Sequence, residues 1–361
     1  MEKKFYNGKL IKRHKRKKKL GALKINIFSL FSLIIRAIII FFNLVILTKR
    51  KSKTNYIHLA LNIDNKYIYP CLVYLTSLLL NRAYSTFYIF HILTGKNIRN
   101  DIFQKVNETI IRFGKYHSNV SFYNMGEQFK RATSGTIITT AAYYRISLSS
   151  ILPNVDKIIY SDSDMINFKD LSKLYNMQFK DGIYFIGPLD HLYHRKELEK
   201  KKIYIDKYIN SGLLLMNLKA IREDKIENKL KDFISNNFLN HHEQTAINAI
   251  CNNNTQILSY KYVIFWYDSF DLVIKINNEQ NEKYKYSMKE LEQGFKSPFL
   301  LHFCGYVKPW DKKSLNKRRV YWWYFAKKSL FYKEILDTYE FKKEEIEELL
   351  KNIPKNGSLL N

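Results

Sequence analysis

Glycine, proline and cysteine are all scarce in this sequence of 361 residues. Twelve glycines and six prolines exclude collagen-like and low-complexity chains. The three cysteines are widely spaced, so they provide neither a disulfide framework nor a CxxC zinc site, and they favour a reducing compartment. A hydrophobic content of 46% and an aromatic content of 15% are instead typical of a chain that buries a sizeable core, as one large domain or two small ones.

Acidic residues are also few, and the resulting excess of positive charge is uneven. The chain has 60 Lys and Arg against 33 Asp and Glu, a net charge of +27. Residues 1–54 hold 16 of these basic residues and one acid, so this seventh of the chain carries +15. Nucleic-acid domains more often carry their charge on the folded face itself, so we expect no nucleic-acid partner. A basic segment beside an apolar one indicates an anionic membrane surface.

The longest apolar run is residues 25–47, and basic clusters flank it on both sides. Its 23 residues suit a membrane-spanning helix, but Arg36 near the middle opposes insertion. The polar residues of the run fall on one side of a helical wheel, which also fits a helix lying in the interface plane. Residues 1–54 are therefore predicted to be a basic segment plus a membrane-anchor helix, with both geometries open.

After residue 54, short apolar runs alternate with amphipathic stretches. Strands are predicted at 57–61, 87–93, 120–123 and 157–160, with helices at 67–80, 98–111 and 141–152. This alternation predicts an α/β fold with a mostly parallel sheet and helices on both faces. Ligands bind such sheets at the carboxyl ends of the strands. The candidate ligand residues are therefore the polar residues at strand ends: Asp64, Asp162, Asp164, Asn210 and His302.

Beyond residue 217 the pattern is helical up to about 250, and residues 252–283 are predicted to be polar and irregular. From Lys308 onward, Trp and Tyr residues mix with Lys and Arg. That mixture suits a bilayer interface or an anionic partner, and it equally suits an aromatic core helix with a solvated basic face.

Asp162-Ser163-Asp164 directly follows an apolar strand. Two carboxylates at this spacing can turn to one divalent cation, and Mg²⁺ and Mn²⁺ prefer oxygen ligands. The spacing alone occurs by chance, so the preceding strand carries the argument. His302 also follows an apolar run, and imidazole suits Mn²⁺ better than Mg²⁺. Gly305 and Lys308 come next, and they fit either a phosphate-binding loop or a turn with a solvated lysine.

Two further motifs are polar. The Asn210-Ser211-Gly212 corner precedes a buried strand, where Asn210 could bind a sugar hydroxyl, or the corner could be a simple turn. Glu243 and Gln244 lie in the first turn of a predicted helix. The adjacent His241 and His242 do not share a helical face, which argues against a paired zinc site.

In this order, the four motifs resemble those of glycosyltransferase family 8, which includes bacterial lipopolysaccharide galactosyl- and glucosyltransferases and glycogenin. The resemblance covers about 57–329. It implies a GT-A fold with a mixed, mostly parallel central sheet, a UDP-sugar donor, Mn²⁺ with Mg²⁺ as an alternative, and retention of anomeric configuration. The implied domains are a catalytic domain at 55–310 and a basic, aromatic helical extension at 311–361.

The resemblance also assigns roles, with three departures from the family pattern. Lys66 stands where the nucleotide-contacting loop usually has Asn, Ser161 stands where an apolar residue is usual, and Glu243 replaces the Asp of the usual "DQ" pair. The implied metal ligands are Asp162, Asp164 and His302. The implied catalytic group is Gln244, Asn210 and Glu243, with Gln244 and Asn210 positioning the substrates. The implied donor contacts are Ala60, Asp64, Lys66, Tyr67, Arg145, Asp162, Ser163, Asp190, Ser211, Gly305 and Lys308.

The expected activity is transfer of galactose or glucose to a hydroxyl of lipopolysaccharide or another cell-surface glycan or glycolipid. The expected location is the cytoplasmic face of a bacterial inner membrane, where nucleotide sugars are made. The alternative is a non-catalytic, membrane-attached protein of the same fold that binds a sugar or nucleotide.

Overall fold

The computed structural model describes residues 54–353, except 115, 127, 130–139, 191–197, 200–201, 238–241 and 267–268. The predicted anchor at 25–47 lies outside the described residues. Within them, no helix has both the length and the apolar character needed to cross a membrane. From Thr54 onward the chain forms one compact unit.

The described residues contain ten strands in two sheets. The strands are β1 Asn55–Ile63, β2 Thr86–Thr94, β3 Ser118–Asn124, β4 Lys157–Ser161, β5 Met165–Asn167, β6 Phe185–Gly187, β7 Leu213–Asn217, β8 Thr255–Ile257, β9 Val263–Phe265 and β10 Leu300–His302. The larger sheet has the order β3-β2-β1-β4-β7-β6-β8, and the smaller has the order β5-β10-β9. In the larger sheet β7 is antiparallel to both neighbours, while the other pairs are parallel. The predicted mixed, mostly parallel sheet is confirmed.

Twelve α-helices lie in the described part of the chain. They are α1 Ile68–Leu80, α2 Asp101–Gly114, α3 Leu148–Ile151, α4 Ser172–Tyr175, α5 Leu218–Glu223, α6 Ile226–Asn236, α7 His242–Ile250, α8 Phe270–Asn278, α9 Met288–Lys296, α10 Arg319–Lys328, α11 Tyr332–Thr338 and α12 Lys343–Leu350. The predicted helix at 141–152 is instead a 3₁₀ helix, Thr140–Ser147, followed by α3. The prediction of an irregular 252–283 segment is wrong, because β8, β9 and α8 lie there.

The aromatic residues of the C-terminal segment belong to the core. Trp322 and Trp323 of α10 are fully buried, and Trp310 and Tyr321 are also buried. Helix α10 packs on α1 and β5. The interpretation of this segment as an aromatic core helix is confirmed, with Tyr324 as its partly exposed ring.

The topology brings the predicted motifs to one edge of the larger sheet. Strands β1 and β4 are parallel neighbours, with Leu61 opposite Ser161, so their carboxyl ends meet. Strand β7 runs in the opposite direction, so its first residue, Leu213, pairs with Ser161 at the same edge. In the smaller sheet His302 pairs with Met165, just after the Asp-Ser-Asp turn. Such an edge, where the strand order reverses around β1 and β4, is where α/β folds bind ligands.

Candidate functional site

The Asp162-Ser163-Asp164 turn is held by backbone contacts on two sides. The Asp162 N–H donates to the Gly212 carbonyl at 2.8 Å. The Ser163 hydroxyl donates to the Asn62 carbonyl of β1 at 2.7 Å. Ser163 is buried, so its role here is to fix the turn to β1. The two carboxylates are thereby presented together.

The predicted metal ligands do come together. One ligand atom from each of Asp162, Asp164 and His302 lies within 4.8 Å of the others. His302 Nε2 is 3.3 Å from Asp164 Oδ1 and 3.9 Å from Asp162 Oδ2. Two ligands at right angles on a small divalent cation, with bonds of about 2.1 Å, lie about 3 Å apart. These spacings therefore fit one ion.

Each carboxylate gives its other oxygen to a cationic side chain. Arg145 Nη2 donates to Asp162 Oδ1 at 2.9 Å, and Tyr160 donates to the same oxygen at 2.8 Å. Lys308 Nζ donates to Asp164 Oδ2 at 2.6 Å. Asp162 Oδ2 and Asp164 Oδ1 thus remain on the His302 side. Asp164 Oδ1 is buried and has no hydrogen-bond partner among the described residues, which is the condition of a ligand atom.

Opposite charges in this cluster stabilise one another in their ionised forms. Burial raises the pKa of Asp164, but the Lys308 ammonium and His302 outweigh it and hold that pKa well below its ordinary value. Burial lowers the pKa of Lys308, yet Asp164 raises it above the ordinary lysine value. The pKa of Arg145 is likewise raised, since Asp162 outweighs burial. The Asp164 carboxylate is therefore ionised at neutral pH, as a metal ligand must be.

Gly212 is required by the metal site itself. A Cβ on this residue would press on His302 Cε1 and would lie 2.8 Å from Asp162 Oδ2 and 2.9 Å from Asn210 Oδ1. Distances below 3.0 Å to a Cβ force a neighbour to move. The glycine of the Asn-Ser-Gly corner thus leaves room for the metal ligands.

The predicted catalytic amides meet at Asp190. Asp190 Oδ2 accepts from Asn210 Nδ2 at 3.1 Å and from Gln244 Nε2 at 2.7 Å. Gln244 Oε1 accepts the backbone N–H of Ser211 at 2.9 Å. Because a carboxylate only accepts and an N–H only donates, these contacts fix the orientation of the Gln244 amide. Its oxygen is already committed to the backbone, which suits a positioning group.

Glu243 lies between this amide cluster and Arg145. It is 5% exposed, with Oε1 3.4 Å from Ser211 Oγ and 3.8 Å from Arg145 Nη2. Its Oε2 is buried with no hydrogen-bond partner in the described structure. The Arg145 guanidinium also donates to the Ser211 carbonyl and lies 4.2 Å from the centre of the Tyr160 ring.

The remaining predicted donor contacts surround the cluster. Asp64 Oδ1 accepts the N–H groups of Lys66 and Tyr67 at 2.9 and 3.0 Å, so it starts the turn before α1. Lys66 is exposed, and the Tyr67 ring meets Trp310 edge-on at 5.9 Å. Ala60 is fully buried inside β1. Their predicted contacts with a donor stay predictions.

Position 305 favours glycine because of its backbone conformation and not because space for a side chain is lacking. Its φ is +94°, in the region that favours glycine, and an added Cβ would meet nothing within 4 Å. The following residues, Tyr306 and Val307, are exposed. Lys308 then turns inward to Asp164 and to the Phe303 carbonyl, at 2.6 and 2.9 Å.

Sequence reasoning missed two supporting residues. Tyr160 hydrogen-bonds both Asp162 and Asn62. Asn248 exchanges hydrogen bonds with both backbone groups of Ile209, which ties the Asn-Ser-Gly corner to α7. The sequence spacing could have indicated both residues. Tyr160 lies two positions before Asp162 at the end of a strand, and Asn248 lies four positions after Gln244 on a helix, so each pair shares a face.

The fold and this cluster define an α/β protein with a candidate metal site, Asp162, Asp164 and His302, at the strand edge of its sheet. The model for "Glycosyl transferase family 8" matches residues 58–314. The chain therefore belongs to glycosyltransferase family 8, a family of transferases, and the suspected resemblance is confirmed.

Curated relatives and solved structures agree with this assignment. The chain is 24% identical over 275 residues to General stress protein A of Bacillus subtilis, covering 74% of this chain and 92% of that protein. It is 20% identical over 263 residues to lipopolysaccharide 1,2-glucosyltransferase of Escherichia coli K12, covering 71% and 73%. It spans 60% of Glycosyltransferase GlyF of Streptococcus pneumoniae. The structure of galactosyltransferase LgtC with donor and acceptor sugar analogues matches this chain with a TM-score of 0.65 and 17% sequence identity. The match covers 78% of this chain and all of LgtC, and it supports the GT-A-like fold.

Proposed function

We propose that this protein is a retaining glycosyltransferase that moves galactose or glucose from UDP to a hydroxyl of lipopolysaccharide or another cell-surface glycan or glycolipid. The observation that carries the proposal is the Asp162, Asp164 and His302 cluster, with a protein cation on each carboxylate. The donor set of two oxygens and one imidazole nitrogen fits Mn²⁺, and Mg²⁺ is the alternative. The names of the E. coli and LgtC relatives support the choice of sugar and acceptor.

The cations explain how the leaving group would be stabilised. A bound Mn²⁺ would supply Lewis-acid charge for the departing UDP. Lys308 has three N–H donors, and two of them donate to Asp164 and the Phe303 carbonyl. The third would donate to a diphosphate oxygen. Because the Lys308 side chain is only 13% exposed and is already held by Asp164, this contact would need little reorganisation.

The amide cluster would position the sugars. Gln244 and Asn210 are both fixed by Asp190, and the Gln244 oxygen accepts a backbone N–H. An amide held this way is a poor nucleophile. We therefore infer attack by the acceptor hydroxyl on the same face as the departing UDP, within an ion pair. A glycosyl adduct trapped on a Gln244→Glu variant would contradict this mechanism.

The first experiment measures UDP release by the purified full chain from a panel of UDP-hexoses, with and without Mn²⁺. We expect Mn²⁺-dependent release from one donor and a loss of at least ~100-fold in Asp164→Ala. Asp232→Ala on the exposed face of α6 is the matched control and should keep wild-type release. No release from any donor, together with no Mn²⁺-dependent UDP binding by calorimetry, would remove the transferase proposal and leave the non-catalytic alternative.

We further propose that residues 1–54 attach the enzyme to the cytoplasmic face of an anionic membrane. Support comes from the +15 charge of this segment and the apolar run 25–47. Flotation with vesicles tests the proposal. The full chain should float with anionic vesicles, and a chain starting at Thr54, where the compact unit begins, should not. Equal flotation of the two chains would contradict it.

A further inference from the structure

A small cavity of about 30 Å³ lies beside Asp190. Its walls are mostly apolar, and they include Leu189, Phe265, Val273, Ile276, Leu291 and Tyr260. A single water needs about 10–15 Å³ of such space, so the cavity has room for about two atoms of that size. A sugar ring is too large and too rich in hydroxyls for it. A small, largely apolar substituent fits.

Two walls of the cavity are shared with the active site. The Asp190 carboxylate accepts from Gln244 and Asn210 at 2.7 and 3.1 Å. The Phe265 ring lies 5.8 Å from the ring of His302, a proposed metal ligand. A group that enters the cavity would therefore belong to a sugar held at the reaction centre.

Tyr260, which lines the cavity, has a hydroxyl that needs a hydrogen-bond acceptor. The residue is 4% exposed, and its hydroxyl is buried with no hydrogen-bond partner among the described residues. Burying a hydroxyl without a partner is unfavourable by about 1–3 kcal/mol. Burial also raises the pKa of Tyr260, so the group stays a proton donor at neutral pH. It lacks an acceptor that a ligand could provide.

We propose that this cavity receives the acetyl group of an N-acetylated sugar, as a deepening of the proposed function on which it rests. The acetyl carbonyl would accept from Tyr260, and the methyl would pack on Val273, Ile276 and Leu291. Other sugar substituents fit less well. The methyl of a deoxysugar would give the Tyr260 hydroxyl no hydrogen-bond acceptor, and a sugar hydroxyl would leave the apolar part of the cavity unfilled. Asp190 also lines the cavity, and carboxylates accept N–H donors, which favours an N-acetyl over an O-acetyl group.

The acetamido sugar can be the donor or the acceptor, and the test has one arm for each. The donor arm compares UDP release from UDP-N-acetylhexosamines with release from the matching UDP-hexoses, in both gluco and galacto forms. The acceptor arm measures binding of methyl N-acetylhexosaminides and the matching methyl hexosides to the full chain with UDP and Mn²⁺. A preference in the donor arm would change the transferred sugar, whereas a preference in the acceptor arm would keep it as proposed.

We expect at least a five-fold preference for the acetamido compound in one arm. Tyr260→Phe removes one neutral hydrogen bond and should lower that preference about five-fold. Tyr262→Phe is the matched control, since this buried tyrosine does not line the cavity, and its preference should equal that of the wild type. Val273→Leu fills part of the cavity and should abolish the preference, which provides a second test if Tyr260→Phe does not fold.

An equal response to acetamido and plain sugars in both arms would overturn the inference, and so would a preference that Tyr260→Phe leaves unchanged. The first of these results points to water filling the cavity. If plain UDP-hexoses still give Mn²⁺-dependent release, only the inference fails. If no donor gives release, the proposed function fails, and the binding arm still tests the acetyl pocket.

Discussion

In each of the two carboxylates, Asp162 and Asp164, one oxygen binds a cationic side chain and the other faces His302. Arg145 takes one oxygen of Asp162, and Lys308 takes one of Asp164. Two neighbouring carboxylates would otherwise repel each other and raise a pKa. The cations offset that repulsion, so the arrangement of the predicted metal ligands is established by the protein alone.

Gly212→Ala should disable the site without unfolding the protein. The added Cβ would displace His302 and Asp162, and a ligand shift of this size lowers turnover about 100-fold. The measurement is Mn²⁺-dependent UDP release together with Mn²⁺ affinity by calorimetry. Gly182→Ala is the control, because it introduces backbone strain at φ +72° away from the cluster. Wild-type Mn²⁺ affinity in Gly212→Ala would show that the glycine is not needed there.

Arg145→Lys should lower both stability and activity. The guanidinium binds Asp162, the Ser211 carbonyl and the Ala142 carbonyl at once, which an ammonium cannot reproduce. Arg145 is buried and the Asp162 side chain is 26% exposed, so the loss of hydrogen bonds should be destabilising by about 1.5–3 kcal/mol, a fall of several degrees in Tm. Arg99→Lys alters an exposed pair with Asp101 and should shift Tm by less than about 1 °C. Thermal unfolding followed by circular dichroism compares the two, and equal shifts would contradict the argument.

The ligand residues could be predicted from the sequence because Asp162, Asp164 and His302 each follow an apolar run. Their individual roles could not, since these depend on which oxygen faces which partner. Lys308 illustrates the limit. Its sequence context indicates a phosphate contact, whereas its observed partner is Asp164, 144 positions earlier in the chain. Pairings at that separation follow from the topology of the sheets.

Among the helices and strands, α10 has an amino-acid composition that is typical of two different environments. Trp, Tyr, Lys and Arg together are typical of a bilayer interface and also of a core helix whose basic ends reach solvent. Trp322 and Trp323 pack edge-on with ring centres 5.0 Å apart, and Trp323 donates to the Pro309 carbonyl. This last contact joins the helix to the loop that carries Lys308.

Trp322→Ala should destabilise the protein by about 3–5 kcal/mol, because it removes a fully buried aromatic side chain. Tyr324→Ala, two positions along the same helix at 39% exposure, should change stability by less than about 1 kcal/mol. Urea unfolding measures both variants. A small effect of Trp322→Ala would mean that α10 is not part of the cooperative core.

Helix and strand prediction succeeded where the patterns were long. Strand β1 has nine residues, and α1 has thirteen, mostly buried. It failed at 252–283, where β8 and β9 have only three residues each. Helix α8 did carry a signal, since the Ser269 hydroxyl caps it by accepting the Leu272 N–H.

At the scale of the whole molecule, a chain of side-chain hydrogen bonds links β1, β2 and β3 at one side of the larger sheet. His58 Nδ1 is 2.9 Å from His91 Nε2, and His91 Nδ1 is 3.1 Å from the Tyr123 hydroxyl. Burial, and secondly the neighbouring His58, lower the pKa of His91 to about 4. The native state therefore keeps His91 neutral at pH values where the unfolded chain is protonated.

The free energy of unfolding should fall as the pH drops from about 6.5 to about 4. In that window the unfolded state binds a proton at position 91 that the native state does not, which favours unfolding by up to about 3 kcal/mol. His91→Gln should flatten this part of the profile, and His117→Gln should keep most of it. Urea unfolding at a series of pH values gives the measurement, and an unchanged slope in His91→Gln would refute the assignment.

Residues 188–190 and residues 208–210 are paired through their backbones. Leu189 bridges Ile209, the Asp190 N–H donates to the Tyr208 carbonyl, and the Asn210 N–H donates to the Pro188 carbonyl. These backbone contacts join residues 188–190 directly to residues 208–210, so they hold Asp190 and Asn210 side by side without using the residues between them. Exchange of residues 191–207 with the corresponding segment of a relative should therefore leave Asp190, Asn210 and the predicted metal ligands in place.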